Sequence, residues 1–419
     1  MLTDSVRGLL RLGGTARVLA GVGMEWVLGD RPPPPQLLRQ TFERLGATYI
    51  KLGQFIASTP SLFPAEYVRE FQCCLDRTEP LPFHIMETLL RREFRRPLYE
   101  IYETIDPEPL ACASIAQVHT ARLIGGEDVV IKIRKPGVQS LLTSDLNFLY
   151  VAARVLELIA PRLAHVSLSA VVEEIQTGML AECNFLREAE NIRNFDRFLR
   201  VTGNKRVIVP HVYEHATTLR VLTMKRLYGV ALTDEASIRR YLDDPEDTLV
   251  AAMNTWFASV LMCDFFHADL HAGNLLVLED GRIGFIDFGI VGRIDPTVWR
   301  AMAAFFDAFG RQDYLAMARA MATLKATATD VDTQVLAQDL ENLYQGLNGL
   351  AVDAEEDVDN LLLEVVAVGK RHGIRFPRAF ALLLKQFLYF DRYIRILAPD
   401  LGVLGADWLR RKDAASAPH

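Results

Sequence analysis

The sequence is poor in cysteine: Cys73, Cys74, Cys112, Cys183 and Cys263 are the only five in 419 residues, and no two make a Cys-x-x-Cys pair. That excludes a disulfide-stapled scaffold and leads us to expect a reducing, cytoplasmic compartment. Long apolar runs are missing too. A membrane-crossing helix needs about 20 mainly apolar residues, but Leu146 to Val166 is broken by Arg154, Glu157 and Arg162, and the shorter Val250 to Cys263 contains Asn254. The first 30 residues alternate Arg and Leu without the solid apolar block of a secretory signal. Positive charge is not in excess: 46 Lys and Arg face 53 Asp and Glu, for a formal net charge of -7. Broad nucleic-acid binding requires clustered basic charge, so no nucleic-acid partner is expected. There is no internal repeat and no long low-complexity segment.

Half of the residues are apolar, enough for a sizeable core, and the length allows two to three domains or one bilobal enzyme with extensions. Residues 1–35 form an amphipathic segment and a linker. Along residues 5–28, Leu9, Leu12, Ala16, Leu19, Trp26 and Val27 share one helical stripe opposite Arg7, Arg11 and Arg17. Such a helix can lie in a membrane interface or pack on its own domain. Pro32 to Pro35 ends it as a stiff linker. Residues 36–105 read as a helical extension, with a helical pattern from Leu37 to about Tyr102. The period changes at Ala111. Val118 to Leu123 and Val129 to Ile133 then read as two strands about a Gly125 to Asp128 turn, followed by helix from Pro136 to about Phe198. Val207 to Val212 and Thr218 to Met224 read as further strands, and helix dominates beyond them.

The stretch that carries chemistry is His267-Ala-Asp-Leu-His-Ala-Gly-Asn274, followed shortly by Ile286-Asp-Phe-Gly289. In protein kinases a His-Arg-Asp-x-x-x-x-Asn loop supplies the catalytic aspartate and a magnesium-binding asparagine, and Asp-Phe-Gly supplies another magnesium ligand. Magnesium prefers hard oxygens and keeps only one or two protein carboxylates, which suits Asn274 and Asp287. Asp269 would face the attacking hydroxyl or water, accepting its proton or orienting it. Leu275 to Leu278 and Ile283 to Ile286, about a Glu279 to Gly281 turn, read as a hairpin with one motif on each arm.

Lys132, in Val130-Ile-Lys132, sits on the second strand of the first hairpin, where a kinase fold holds the lysine that contacts ATP phosphates. Its expected partner is a helical glutamate. Glu188 is chosen over Glu190, which would point roughly 200 degrees away on the same helix. Ahead of these strands, where kinases carry a Gly-x-Gly-x-x-Gly loop, the chain has Ala113-Ser-Ile-Ala-Gln117 with no glycine. Alanine stiffens such a turn, and Ser114 could donate to a phosphate. After Gly289 there is no Ala-Pro-Glu element and no serine before Thr323, which leaves little room for a phosphorylated activation segment.

Taken in order, Lys51-Leu-Gly-Gln54, Ala113-Ser-Ile-Ala-Gln-Val-His119, Val130-Ile-Lys132, Glu188-Ala, the His267 to Asn274 loop and Asp287-Phe-Gly289 make the chain resemble the UbiB/AarF/ADCK atypical kinase-like family over about residues 37–400. The resemblance implies an α+β, bilobal protein-kinase-like fold. Residues 106–224 would form a small sheet-containing N-lobe with inserted helices, 225–400 a mainly helical C-lobe and 401–419 a tail. It implies ATP and Mg2+ as cofactors, with Ala113, Ser114, Ile115, Ala116, Gln117 and Lys132 at the nucleotide and Asn274 and Asp287 at the metal. Asp269, Lys132 and Glu188 would form the catalytic set. Lys51 and Gln54 would belong to an extension that hinders protein-substrate phosphorylation, anchored through a Glu-x-Asp motif that appears here as Glu182-Cys-Asn184. Asn184 accepts a hydrogen bond but has no charge with which to hold Lys51. The expected activity is that of an ATPase or small-molecule kinase tied to ubiquinone or other isoprenoid-lipid metabolism. Expected partners are a lipid or quinone precursor, lipid-biosynthesis enzymes and a peripheral membrane surface. Two other readings stay open: an aminoglycoside- or choline-type phosphotransferase, and a nucleotide-binding pseudokinase scaffold.

Overall fold

The computed structural model describes residues 31–57, 65–71, 80–159, 168–324 except 233, 243 and 264, then 331–348, 364–374 and scattered positions within 17–29 and 376–397. Most of the amphipathic segment at residues 5–28 and the whole 401–419 tail lie outside the described residues. The chain divides into two compact units, one of residues 1–58, 63–190 and 211–226, the other of 59–62, 191–210 and 227–419.

The first unit begins with helices α1 (Pro34–Leu45), α2 (Ala47–Ala57), α3 (Ala65–Phe71) and α4 (Phe83–Phe94). Proline opens α1, where a missing N–H costs nothing, and Gly46 closes it at φ 97°, a left-handed conformation that glycine adopts without strain. Strands β1 (Tyr102–Cys112), β2 (Ala116–Leu123) and β3 (Asp128–Arg134) follow, then helices α5 (Val138–Ile159), α6 (Leu168–Glu182) and α7 (Phe185–Val201). Residues 185–190 of α7 belong to this unit and its remainder to the other. Following the short β4 (Val207–Ile208), β5 (Val221–Lys225) completes a four-stranded sheet in the order β1-β2-β3-β5.

Helix α4 presents Met86, Leu89 and Leu90, at helical spacing, to Val129, Ile131 and Ile133, which alternate along β3. Val130, Lys132 and Arg134 therefore point to the opposite face. Because β3 lies between β2 and β5, it is buried on both faces and Lys132 stands in an interior strand.

Strand β1, which begins where the helical pattern was expected to end and precedes the expected hairpin, was not read in the sequence. Its composition hides it: Pro107 and Pro109 lack amide donors, and charged residues dominate its exposed face. Proline is tolerated because β1 is an edge strand, and its pairing with β2 carries irregularities around Pro109. The strands expected over 207–212 and 218–224 shrink to β4 and β5.

In the second unit, β6 (Gly229–Ala231), α8 (Glu235–Tyr241), α9 (Pro245–Met262), β7 (Phe266–His267), β8 (Leu275–Leu278), β9 (Ile283–Phe285) and β10 (Val291–Gly292) precede α10 (Pro296–Gly310), α11 (Tyr314–Thr323) and α12 (Thr333–Asn348). Asp234, Asp244, Asp295 and Asp313 cap α8, α9, α10 and α11, each accepting from a backbone N–H of the first turn. The expected hairpin forms as β8 and β9, with Leu275 opposite Phe285. Strand β4 joins β9 and β6 joins β8, while β7 pairs with β10 alone. The chain passes between the units at 190/191 within α7, at 210/211 and at 226/227, the last lying two residues from the division expected at 224.

Gly292 faces Phe266 across the β7–β10 pair, and a methyl group there would fall on the buried Phe266 ring. Gly292→Ala is expected to cost about 1–3 kcal/mol through overpacking. Urea unfolding measures it, and wild-type stability would refute the clash.

Candidate functional site

In the first unit, the Lys132 ammonium donates to both carboxylate oxygens of Glu188, at 2.9 and 3.0 Å. The side chains are 11% and 2% exposed, so the two charges are held together largely out of water. Lys132 also lies 5.5 Å from the centre of the Phe185 ring. Glu188 sits in the first turn of α7, where a negative charge suits the helix dipole. That turn is fixed by Asn184, whose side-chain oxygen accepts from the Leu186 and Arg187 amides. Glu190 is exposed.

Asn184 is thus a helix cap, which gives its amide a role independent of any lysine anchor. Glu182 is half-buried near the end of α6. Lys51 and Gln54 lie on α2, and their side chains are outside the described residues.

The glycine-free loop joins β1 to β2 as a tight turn, with the Ala113 N–H donating to the Ala116 carbonyl at 2.9 Å. None of Ala113, Ser114, Ile115 and Ala116 has a positive φ, so the turn does not need glycine. Lys135 N–H donates to Ile115 O at 2.8 Å, and Ser114 and Ile115 are buried.

Gln117 stands apart from the nucleotide assignment made for it. Its side chain is fully buried, accepts from Leu81 N–H at 2.7 Å and donates to Leu81 O at 3.2 Å. Two residues along β2, the buried His119 bonds to Asp106 O of β1. Gln117 is therefore spent on holding the chain segment before α4 against the sheet.

In the second unit, Asp269, Asn274 and the residue before Asp287 are tied by a closed ring of hydrogen bonds. Asp269 N–H donates to His267 Nδ1 at 3.2 Å, and His267 Nε2 meets Ile286 O at 3.0 Å. Ile286 N–H donates to Asn274 O at 3.0 Å, and Asn274 Nδ2 donates to Asp269 O at 2.9 Å. With Nδ1 accepting, His267 carries its proton on Nε2. The ring leaves the Asp269 carboxylate, 19% exposed, outside the bonding of its own backbone. His271 Nε2 lies 3.7 Å from that carboxylate, and its Nδ1 accepts from Gly273 N–H.

Asp287 takes φ 59°, a left-handed conformation uncommon for a non-glycine residue. Gly289 N–H, donating to its carboxylate at 3.2 Å, supports that turn, and Asn191 Nδ2 of α7 donates to Phe288 O at 3.1 Å. Phe288 packs on Phe195 and on His267, with ring centres 5.2 and 4.6 Å apart.

The donor set fits magnesium. Because Asn274 commits its amide nitrogen to Asp269 O, its carbonyl oxygen is the end that would face a cation, and Asp287 would add a carboxylate. Among the described residues no group of three or more His, Cys, Asp or Glu gathers as a metal site.

Burial holds the His267 imidazole below its ordinary value near 6.5, outweighing the opposing pull of Ile286 O, Asp269 and Asp287. The folded state therefore binds this proton less readily than the unfolded chain. The contribution is full above pH about 6.5 and is lost as pH falls through the lower folded value. His267→Gln is expected to lose less stability than wild type between about pH 7 and pH 5. Parallel urea-midpoint curves would contradict this.

The sequence reading missed the ring role of His267 and three further side chains that reach this loop, Trp256, Gln386 and Tyr393. A glutamine beside Lys385, in the otherwise mainly apolar stretch Phe380 to Phe390, was the available signal for one of them.

A loop-borne aspartate and asparagine, a left-handed Asp-Phe-Gly turn and a buried lysine–glutamate pair on a small sheet define a kinase-like α+β protein. The chain belongs to the ABC1 atypical kinase-like family, whose domain model matches residues 73–321. An uncharacterized aarF domain-containing, chloroplastic protein kinase of Arabidopsis thaliana is 47% identical, over 95% of this chain and 81% of its own length. A protein of Sodalis glossinidius named as a probable protein kinase UbiB is 30% identical over 90% of this chain and 68% of its own. Among solved structures, the Mycobacterium tuberculosis protein Rv3197 in complex with erythromycin shares the fold, with a TM-score of 0.50 and 22% identity over 76% of this chain and 83% of that one.

Proposed function

We propose that the protein is an Mg-ATP-dependent atypical kinase or ATPase of the UbiB type, serving ubiquinone or other isoprenoid-lipid metabolism rather than phosphorylating proteins. The observation that carries this reading is the closed ring through His267, Asp269, Asn274 and Ile286, which preorganises one carboxylate for the attacking group and an amide and a carboxylate for the metal. When bound, magnesium would neutralise phosphate charge. Asn274 and Asp287 would supply its protein oxygens, and Lys132, aimed by Glu188, would bind phosphate oxygen. Asp269 would orient the attacking hydroxyl or water and take its proton.

A non-protein acceptor is supported by the run from Gly289 into α10 without an Ala-Pro-Glu element. Support for the lipid connection comes from the UbiB name of the Sodalis relative. No described helix is long and apolar enough to cross a membrane, and any bilayer contact in this reading is peripheral. Phosphate release from ATP, with and without magnesium and screened with quinone precursors, tests the proposal. Magnesium-dependent release that a quinone precursor stimulates is expected. Tight ATP binding without release under any condition would instead favour a pseudokinase scaffold.

A further inference from the structure

The loop that carries Asp269 is held from behind by side chains of the C-terminal segment. Gln386 accepts from Leu270 N–H at 2.8 Å and donates to Ala268 O at 2.8 Å, bracketing Asp269 on both sides as a neighbouring strand would. Seven residues further on, Tyr393 O–H donates to Leu270 O at 2.6 Å. Trp256 of α9 donates from its indole N–H to His267 O at 2.8 Å. With Ala268 N–H on Ile290 O, every backbone N–H and C=O of residues 268–270 has a partner.

The chemistry of Gln386 is informative because it is fully buried, in a stretch that also buries Leu382, Leu383 and Phe390. An amide costs free energy in such a place unless its hydrogen bonds are met, and leucine or methionine would fill the space without that cost. Its remaining N–H is also used, on Leu382 O at 2.8 Å. Packing therefore does not account for the glutamine, whereas fixing the backbone on either side of Asp269 does. Both Gln386 and Tyr393 lie beyond the end of the family domain match at residue 321.

We infer that Gln386 and Tyr393 are positioning residues that set the Asp269 carboxylate for phosphoryl transfer, so that the C-terminal segment completes the catalytic loop from outside the matched domain. The inference rests on the Mg-ATP reading for its effect on turnover, but not for its effect on the loop.

Full-length Tyr393→Phe removes one hydroxyl, and Gln386→Met removes both loop bonds at similar volume. Each is compared with wild type by hydrogen exchange, ATP affinity, phosphate release and thermal melting. Faster exchange confined to residues 266–276 is expected in both variants. Turnover should fall roughly 3–10-fold in Tyr393→Phe and roughly 10–100-fold in Gln386→Met, with ATP affinity within about threefold. A merely structural role would lower melting temperature and folded fraction while leaving turnover per folded molecule unchanged. Wild-type exchange across the loop in both variants overturns the inference, and so does wild-type turnover in both variants of an active enzyme. Absence of phosphate release from wild type would sink the Mg-ATP reading alone, and the exchange comparison would then decide the clamp.

Discussion

Lys132→Met is expected to lose about 3–5 kcal/mol of folding stability together with tight nucleotide binding, and Lys132→Met/Glu188→Leu to recover the stability without the binding. The reason lies in burial. Glu188 keeps only 2% of its side chain exposed and takes both hydrogen bonds from one ammonium at 2.9 and 3.0 Å. Removing the lysine strands a carboxylate in the interior of the first unit. Removing both charges leaves an apolar pair beside Phe185, which the interior accepts readily. A lysine retained for stability alone would be a poor choice by this logic, since apolar residues would serve at least as well. Urea unfolding and nucleotide titration of the single and double variants separate the two effects. If the double variant bound ATP like wild type, the pair would be structural only.

The second large effect is expected at Asp269. Asp269→Asn should lower turnover by roughly 10²–10⁴-fold while ATP affinity stays within a few fold. The Asp269 backbone, not its carboxylate, closes the hydrogen-bond ring, so the isosteric amide leaves His267, Asn274 and Ile286 in place. What is lost is the capacity to take a proton from the attacking group. Phosphate release measured beside ATP affinity checks this split. Equal losses in both would show that the carboxylate serves binding rather than the chemical step.

The parts of the molecule that local pattern determines were legible in the sequence. Lys132 and Glu188, 56 residues apart, were paired from strand position and helix phase, and the structure brings them into contact. The β8–β9 hairpin followed from its turn, and the loop needed no glycine because its backbone has no positive φ. Strand β1 was hidden because proline and charge read as loop unless the strand is known to be an edge.

Long-range hydrogen bonding was the other blind spot. Gln117 sits in a loop motif yet serves Leu81, and Gln386 sits 116 residues from the amide it satisfies. Neither partner is written in spacing or periodicity, because a buried amide can find any backbone group the fold delivers. His267 was legible as part of a motif but not as the link between Asp269 and Ile286, which depends on two loops meeting.

Calorimetric titration of the full chain with ATP, in magnesium, in EDTA and with Asp287→Asn, tests the central claim most directly. Saturable binding in magnesium is predicted, weakened at least about tenfold both by chelation and by the loss of the Asp287 charge. No binding in magnesium, or equal affinity in wild type and Asp287→Asn, would contradict the account.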